Sequence, residues 1–434
     1  MSAEAQANLE LPSVKHMRTA FEQSTTRSTV RQTAFDAFAK VGFPTPRDEH
    51  WKYTNLRRLE AREFFITQSE ATRVPRLDKP SNAYELVFVN GQYRGEVSTL
   101  PSSTGLHISS LATLEKTAPD KLEAILSLPV AHASSLVSLN TALATEGLCI
   151  EVASHTTIDK PLFINFISTD EPNNIMAHPR ISIHVGEHSH ITIVQKFVGY
   201  GSNVGFLNAV TTLKLDKSAQ VHHCLIQQDN LQSFHINQLQ AELAAHANLT
   251  NHHVNLGAAL ARTDIHVLLN GTEANVVLNG LQFSTDNQHH DTHLRVEHCV
   301  PHTKSNQDYR GIADKRGRIV FNGKVMVHEK AVKTDAQQSS RNLLLANTAE
   351  IDTKPELEIY NDDVKCAHGA TVGQLDTTAL FYLRSRGLDE NQARSLLTHA
   401  FANHIIAKVP VPELQEQLTH LCHARFDTHM EPTA

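Results

Sequence analysis

Ala219-Gln220-Val221-His222, Ala247-Asn248-Leu249-Thr250 and Ala274-Asn275-Val276-Val277 repeat one pattern: a small residue, a polar one, an apolar one and a fourth. Ser189-His190-Ile191-Thr192 precedes them, and Gly317-Arg318-Ile319-Val320 and Ala349-Glu350-Ile351-Asp352 follow. The steps between successive copies are 30, 28, 27, 43 and 32 residues. Strand-like runs lie around them, at 162–168, 181–185, 191–198, 210–215, 265–269, 276–281 and 319–327, with no long helical period among them. A loose repeat of this length in an all-strand region predicts a β-solenoid. One coil cannot bury its inward face alone, so coils stack. Periodicity by itself leaves a large sandwich or barrel open, and the 43-residue step is irregular.

Outward from this core, the texture changes at both ends. The first sixty residues read as helical. Residues 30–41 lack Gly and Pro, and Gly42 and Pro44 supply the stop. The lone Trp51 lies in the charged run 47–54 and reads as a buried anchor, with a binding role as the alternative. Asn90-Gly91 between two apolar runs predicts a tight hairpin, and a helix is expected near 119–128. Beyond the strands, Asp376 and Asp389 are plausible N-caps and Gly387 a C-terminal stop, with a third helix over 412–424. The expected division is a helical region with a small α/β part at 1–146, the solenoid at 147–375 and a helical domain at 376–434.

Composition excludes several classes. Of 434 residues, 39 are Lys or Arg and 46 Asp or Glu, a net charge of −7, so no basic surface for nucleic acid is expected. No apolar run approaches the ~20 residues that cross a bilayer. The N-terminal residues lack the form of a secretory signal. The five cysteines are odd in number and widely spaced, which suggests a reducing cytoplasm rather than a disulfide framework. No CxxC, P-loop or GxSxG motif occurs.

The 28 histidines invite a metal reading. The pairs His222-His223, His252-His253 and His289-His290 face apart on a strand and read as one exposed and one half-buried ring each. His289, Asp291 and His293 alternate onto one face, with Leu294 and Val296 on the other, presumed inward, face. An exposed His-Asp-His face suits a divalent ion or is simply polar surface. Cys366-Ala367-His368 likewise puts thiol and imidazole on one side of a strand. Two donors are an incomplete site, and a buried Cys can equally be a small hydrophobe.

The flanking residues sharpen this. The run Lys354-Pro355-Glu356-Leu357-Glu358-Ile359-Tyr360-Asn361-Asp362-Asp363-Val364-Lys365-Cys366-Ala367-His368-Gly369 closely resembles the signature of the SufB/SufD family of iron–sulfur cluster assembly scaffold subunits. Phe321-Asn322-Gly323, Lys333-Thr334-Asp335, Asn342-Leu343-Leu344-Leu345, Leu380-Phe381-Tyr382-Leu383-Arg384-Ser385-Arg386 and the N-terminal Glu49-His50-Trp51-Lys52-Tyr53-Thr54 fit it too. The Cys-x-His segment is closer to the SufD branch than to the SufB branch. The resemblance implies a mainly β fold, a right-handed parallel β-helix flanked by N-terminal and C-terminal helical regions. It implies a non-catalytic scaffold with no permanent cofactor, on which a nascent iron–sulfur cluster forms transiently. The implied partners are a SufB-like subunit along the β-helix and a SufC-like ATPase on the C-terminal helices, through Leu380, Phe381, Tyr382, Arg384 and Arg386. Cys366 and His368 are the implied cluster-site residues. The competing reading is a mononuclear-metal β-fold enzyme using His289, Asp291 and His293. A weaker one, a carbohydrate-active β-helix using Asp362 and Asp363, suffers because adjacent strand residues face apart.

Overall fold

The computed structural model describes residues 12–428, apart from 24–27, 68–73, 76, 78–81, 100–103, 131, 133 and 171–172. The first eleven residues of the expected helical start thus lie outside the described residues. The strands form two ten-stranded sheets. From Arg180–Val185 onward, successive strands alternate between the sheets and pair in parallel with strands of the neighbouring coils. The result is a parallel β-solenoid of about eight turns with helices at both ends, as expected.

The repeated tetrad marks the corner where each coil turns into the first sheet. His188, Ser218, His246, Glu273, His302 and Lys333 all hold φ between 54° and 61°. Each immediately precedes a small residue that is almost wholly buried: Ser189, Ala219, Ala247, Ala274, Thr303 and Thr334. The amides of Ala219, Ala247 and Ala274 each close a tight turn onto the carbonyl three residues back, at 3.1, 3.1 and 3.2 Å. Only a small side chain fits behind the left-handed corner, and His is among the residues enriched there. The 43-residue step is therefore no lost coil. The copies from Ser189 to Ala274 open strands of the first sheet, whereas Gly317 and Ala349 stand before strands of the second. The intervening first-sheet corners use Thr303 and Thr334, which hides them from a search for Gly, Ala or Ser.

Register stacks like on like. Ile191, Val221, Leu249, Val276, Ser305, Ala336 and Cys366 form one inward column of the first sheet, and the first four lie in the solenoid's apolar core. Leu294 and Val296 also face inward. The outer face of the first sheet is apolar too. Val194, Cys224, Ile226, Val254, Leu281 and Phe283 pack under Ala402, Ile405, Leu414 and Leu418 of the C-terminal helices Glu390–Ile406 and Pro412–Thr428. The N-terminal helices Pro12–Gln23 and Thr29–Val41 cover the start of the second sheet's outer face through Phe206, Phe234 and Leu260.

Local expectations hold at the turns and caps. Asn90 and Gly91, at φ 51° and 84°, join Tyr84–Val89 to Gln92–Tyr93 as an antiparallel hairpin. Asp376 accepts from the Thr378 amide, and Asp389 forms a capping box with Gln392. The histidine pairs need correcting. His252 and His253 are both buried, as is His223 beside half-buried His222. The reason is that both faces of the first sheet are covered, one by the coil interior and the other by the C-terminal helices.

Candidate functional site: an open last coil

The solenoid ends on two edge strands, Glu350–Ile359 in the second sheet and Lys365–Gly373 in the first. Earlier strands are mostly buried, whereas every residue of Lys365–Gly373 except half-buried Cys366 is exposed. A side chain added at Gly369 or Gly373 would meet nothing within 4 Å. A bare, regular edge presents unpaired backbone groups that can pair with another strand.

Cys366 and His368 sit on this strand, both on columns that run into the interior. Cys366 lies over Ala336 and packs on a small cluster of Val325, Val327 and Ala331. His368 lies over Gln338, whose Nε2 donates to Gln307 Oε1 at 2.7 Å. His368 thus continues a polar column out of the coil interior to solvent. Burial pushes the Cys366 thiol up, only partly offset by the Ala336 backbone, so it is no activated nucleophile; it would serve as a thiolate once a metal displaces its proton. Among the described residues, three or more His, Cys, Asp or Glu donors gather within 4.8 Å at two places, and neither includes Cys366 or His368. The pair offers two ligands, and further donors must come from elsewhere.

The helix Thr377–Ser385 follows and has no buried residue. Phe381 and Tyr382 are 74% and 56% exposed, large values for aromatic side chains. Leu380 is half-buried and Arg384 exposed; Arg384 reaches Glu390 at 3.6 Å, and Arg386 lies over the Tyr382 ring.

The His289/Asp291/His293 face is not the exposed surface expected from alternation. Asp291 is fully buried and both histidines are partly covered. The N-terminal segment around Trp51 and Thr54 lies across it. Thr54 Oγ1 donates to Asp291 Oδ2 at 2.5 Å and lies 2.8 Å from His289 Nε2. Arg262 Nη1 donates to the same carboxylate at 2.8 Å and to the His50 carbonyl at 2.7 Å, and its guanidinium stacks 4.0 Å from the Trp51 ring. His293 Nε2 lies 3.0 Å from Asp291 Oδ1. Burial would raise the Asp291 carboxyl, but His293 and Arg262 hold it well below its usual range. These donors are engaged in fastening the N-terminal region, which also makes Trp51 the buried anchor. A cleft of about 430 Å³ borders the fastening, between Trp51, Arg262 and Lys354. Asp362 and Asp363 lie in the corner before Lys365–Gly373, where Asp363 pairs with Lys333 at 2.6 Å.

Fold and site define a helix-flanked β-solenoid whose last coil is left open and carries a two-donor Cys-x-His pair. The model of the SufBD core domain of the SUF system for FeS cluster assembly matches residues 166–401, and that of the SufBD N-terminal region matches 14–164. The iron–sulfur cluster assembly protein SufD of Escherichia coli is 32% identical over 402 residues, covering 91% of this chain and 92% of its own. An iron–sulfur cluster assembly SufBD family protein of Synechocystis is 32% identical over 403 residues, 89% of this chain and 88% of its own. The chloroplastic protein ABCI7 of Arabidopsis thaliana is 28% identical over 442 residues, 96% and 91% of the two chains. The chain belongs to the SufBD family of iron–sulfur cluster assembly proteins. No helix among the described residues is long and apolar enough to cross a membrane.

Proposed function

We propose that this chain is a non-catalytic scaffold subunit, on whose open last coil a nascent iron–sulfur cluster forms transiently against a SufB-like partner. The observation that carries this is the edge strand Lys365–Gly373, bare along its length, with Cys366 and His368 at the mouth of the coil interior. A parallel partner strand would satisfy its backbone and could add the missing ligands. Two donors per chain at a subunit boundary suit a cluster that must be built and then released. With no P-loop in its sequence, the chain takes its ATP-driven step from a SufC-like ATPase, docked on the helix Thr377–Ser385 through Leu380, Phe381, Tyr382, Arg384 and Arg386. No cofactor is held permanently by the lone chain, nucleic acid and membrane are not partners, and the setting is the cytoplasm.

In cells dependent on this pathway, Cys366→Ala and His368→Ala are expected to abolish or strongly reduce cluster assembly while leaving circular dichroism and thermal stability unchanged. Both side chains sit at an uncovered end, so folding has little need of them. Normal assembly in both variants would remove these residues from the site.

The ATPase test needs point variants rather than removal of 376–434. Helices Glu390–Ile406 and Pro412–Thr428 cover the apolar outer face of the first sheet, so their loss would expose it and unfold the chain. Phe381→Ala with Tyr382→Ala leaves that cover intact. Capture of a SufC-like ATPase by the double variant is expected to fall at least tenfold, about 1.4 kcal/mol. Undiminished capture would move the docking surface elsewhere.

A further inference from the structure

Glu297, Cys299 and His328 lie together at the end of two neighbouring strands of the second sheet, a group that does not include Cys366 or His368. One donor atom from each falls within 4.8 Å of the others. Glu297 is 7% exposed, and its two oxygens are treated differently. Oε1 accepts from Arg295 Nε at 2.6 Å and lies 3.0 Å from His266 Nε2. Oε2 faces His328 Nε2 at 2.8 Å. The carboxylate is thus aimed from one side, and its second oxygen is turned towards a half-exposed imidazole, with the half-exposed Cys299 thiol in the same group.

The geometry points to a binding site for a divalent first-row transition ion of the Zn²⁺, Co²⁺ or Fe²⁺ class, with Glu297 Oε2, Cys299 Sγ and His328 Nε2 as ligands and a water completing the shell. Carboxylate, thiolate and imidazole together form a borderline-soft donor set that hard Mg²⁺ or Ca²⁺ does not favour. Ligands ~2.0–2.3 Å from a tetrahedral ion stand roughly 3.3–3.7 Å apart, so Oε2 and Nε2, at 2.8 Å, need only part slightly. Arg295 and His266 are positioning residues, holding the carboxylate by its other oxygen as partners behind a metal ligand do. Loading requires His328 to carry its proton on Nδ1 and Cys299 to release its own to solvent. Because the ion binds the thiolate and displaces its proton, binding strengthens as pH rises. His132 also approaches Oε1, at 3.4 Å, on the side already taken by Arg295.

The test is titration of the full chain, stripped with EDTA, with Co²⁺ at pH 7.5. One equivalent is expected to give visible bands and a near-ultraviolet thiolate-to-cobalt band. Both are expected to survive in the Cys366→Ala, His368→Ala double variant. The thiolate band is expected to vanish in Cys299→Ala, and His328→Asn to weaken binding roughly tenfold or more. His266→Gln, one step removed, is expected to weaken it roughly 10–100-fold with the thiolate band kept in position. Circular dichroism of each variant checks the fold. A wild-type titration without the thiolate band, or a band that persists in Cys299→Ala, overturns the site.

Discussion

Lowering the pH from 7.5 to 5.5 is expected to remove several kcal/mol of stability and to bring the unfolding midpoint down sharply. His223, His253, His290 and His298 are among the histidines that line the coil interior. Burial pushes them down to about 4, 3, 3 and 4. His178 and His252, under the N-terminal and C-terminal helices, fall to about 3 and 4 for the same reason. In the unfolded chain each returns to about 6.5. Between those limits the unfolded state binds more protons, so stability falls as pH falls from about 6.5 towards 4 and is level above. Each ring contributes about 1 kcal/mol of loss by pH 5.5. The total is a large share of a typical 5–15 kcal/mol. Half-buried Glu146, raised to about 7 by desolvation, works the other way, being relieved on acidification, but it is one group against six. Urea unfolding at the two pH values measures the difference, and equal midpoints would refute it. His253→Leu is the sharper variant. Both ring nitrogens of His253 are buried without a partner, so the apolar replacement is expected to reduce the loss between the two pH values by one ring's share, about 1 kcal/mol, without lowering stability at pH 7.5.

Arg262→Ala is the second large effect, expected to cost about 3–5 kcal/mol. The guanidinium is almost wholly buried. It donates to Asp291, to Asp264 and to the His50 carbonyl, and stacks on Trp51. Removing it leaves the Asp291 charge buried with too few partners and lets go of the segment that crosses the second sheet. Limited proteolysis is expected to cut the N-terminal region first while the solenoid persists. Asp291→Asn should cost less, since an amide still accepts from Thr54 and Arg262 and brings no buried charge. A variant as resistant to protease as the parent would mean that the helices alone hold this region.

Much of the fold was legible because its determinants are local and repeat. The corner needs a left-handed residue followed by a small one, and alternation marks the buried columns, so tetrads, strands, hairpin and caps could be read in place. The Cys366/His368 pair was legible as two residues on one side of a strand. Its openness was not, because whether another coil lies over a strand depends on where stacking stops. The His289/Asp291/His293 face misled for the opposite reason: the alternation is real, but Thr54 and Arg262 arrive from distant segments to cover it. The Glu297 corner escaped notice, although His266, Glu297 and His328 recur at intervals of 31 residues, one coil apart. Aligning the coils would have shown it.

The sequence by itself determined a strand-rich core with a loose repeat, several of its corners and the helices that close the ends, because these follow from side-chain size, φ preference and period. Tertiary structure alone decided which polar residues are exposed, charged or gathered. Those properties depend on what lies opposite, and in a stacked coil the opposite residue is a full turn or half the chain away.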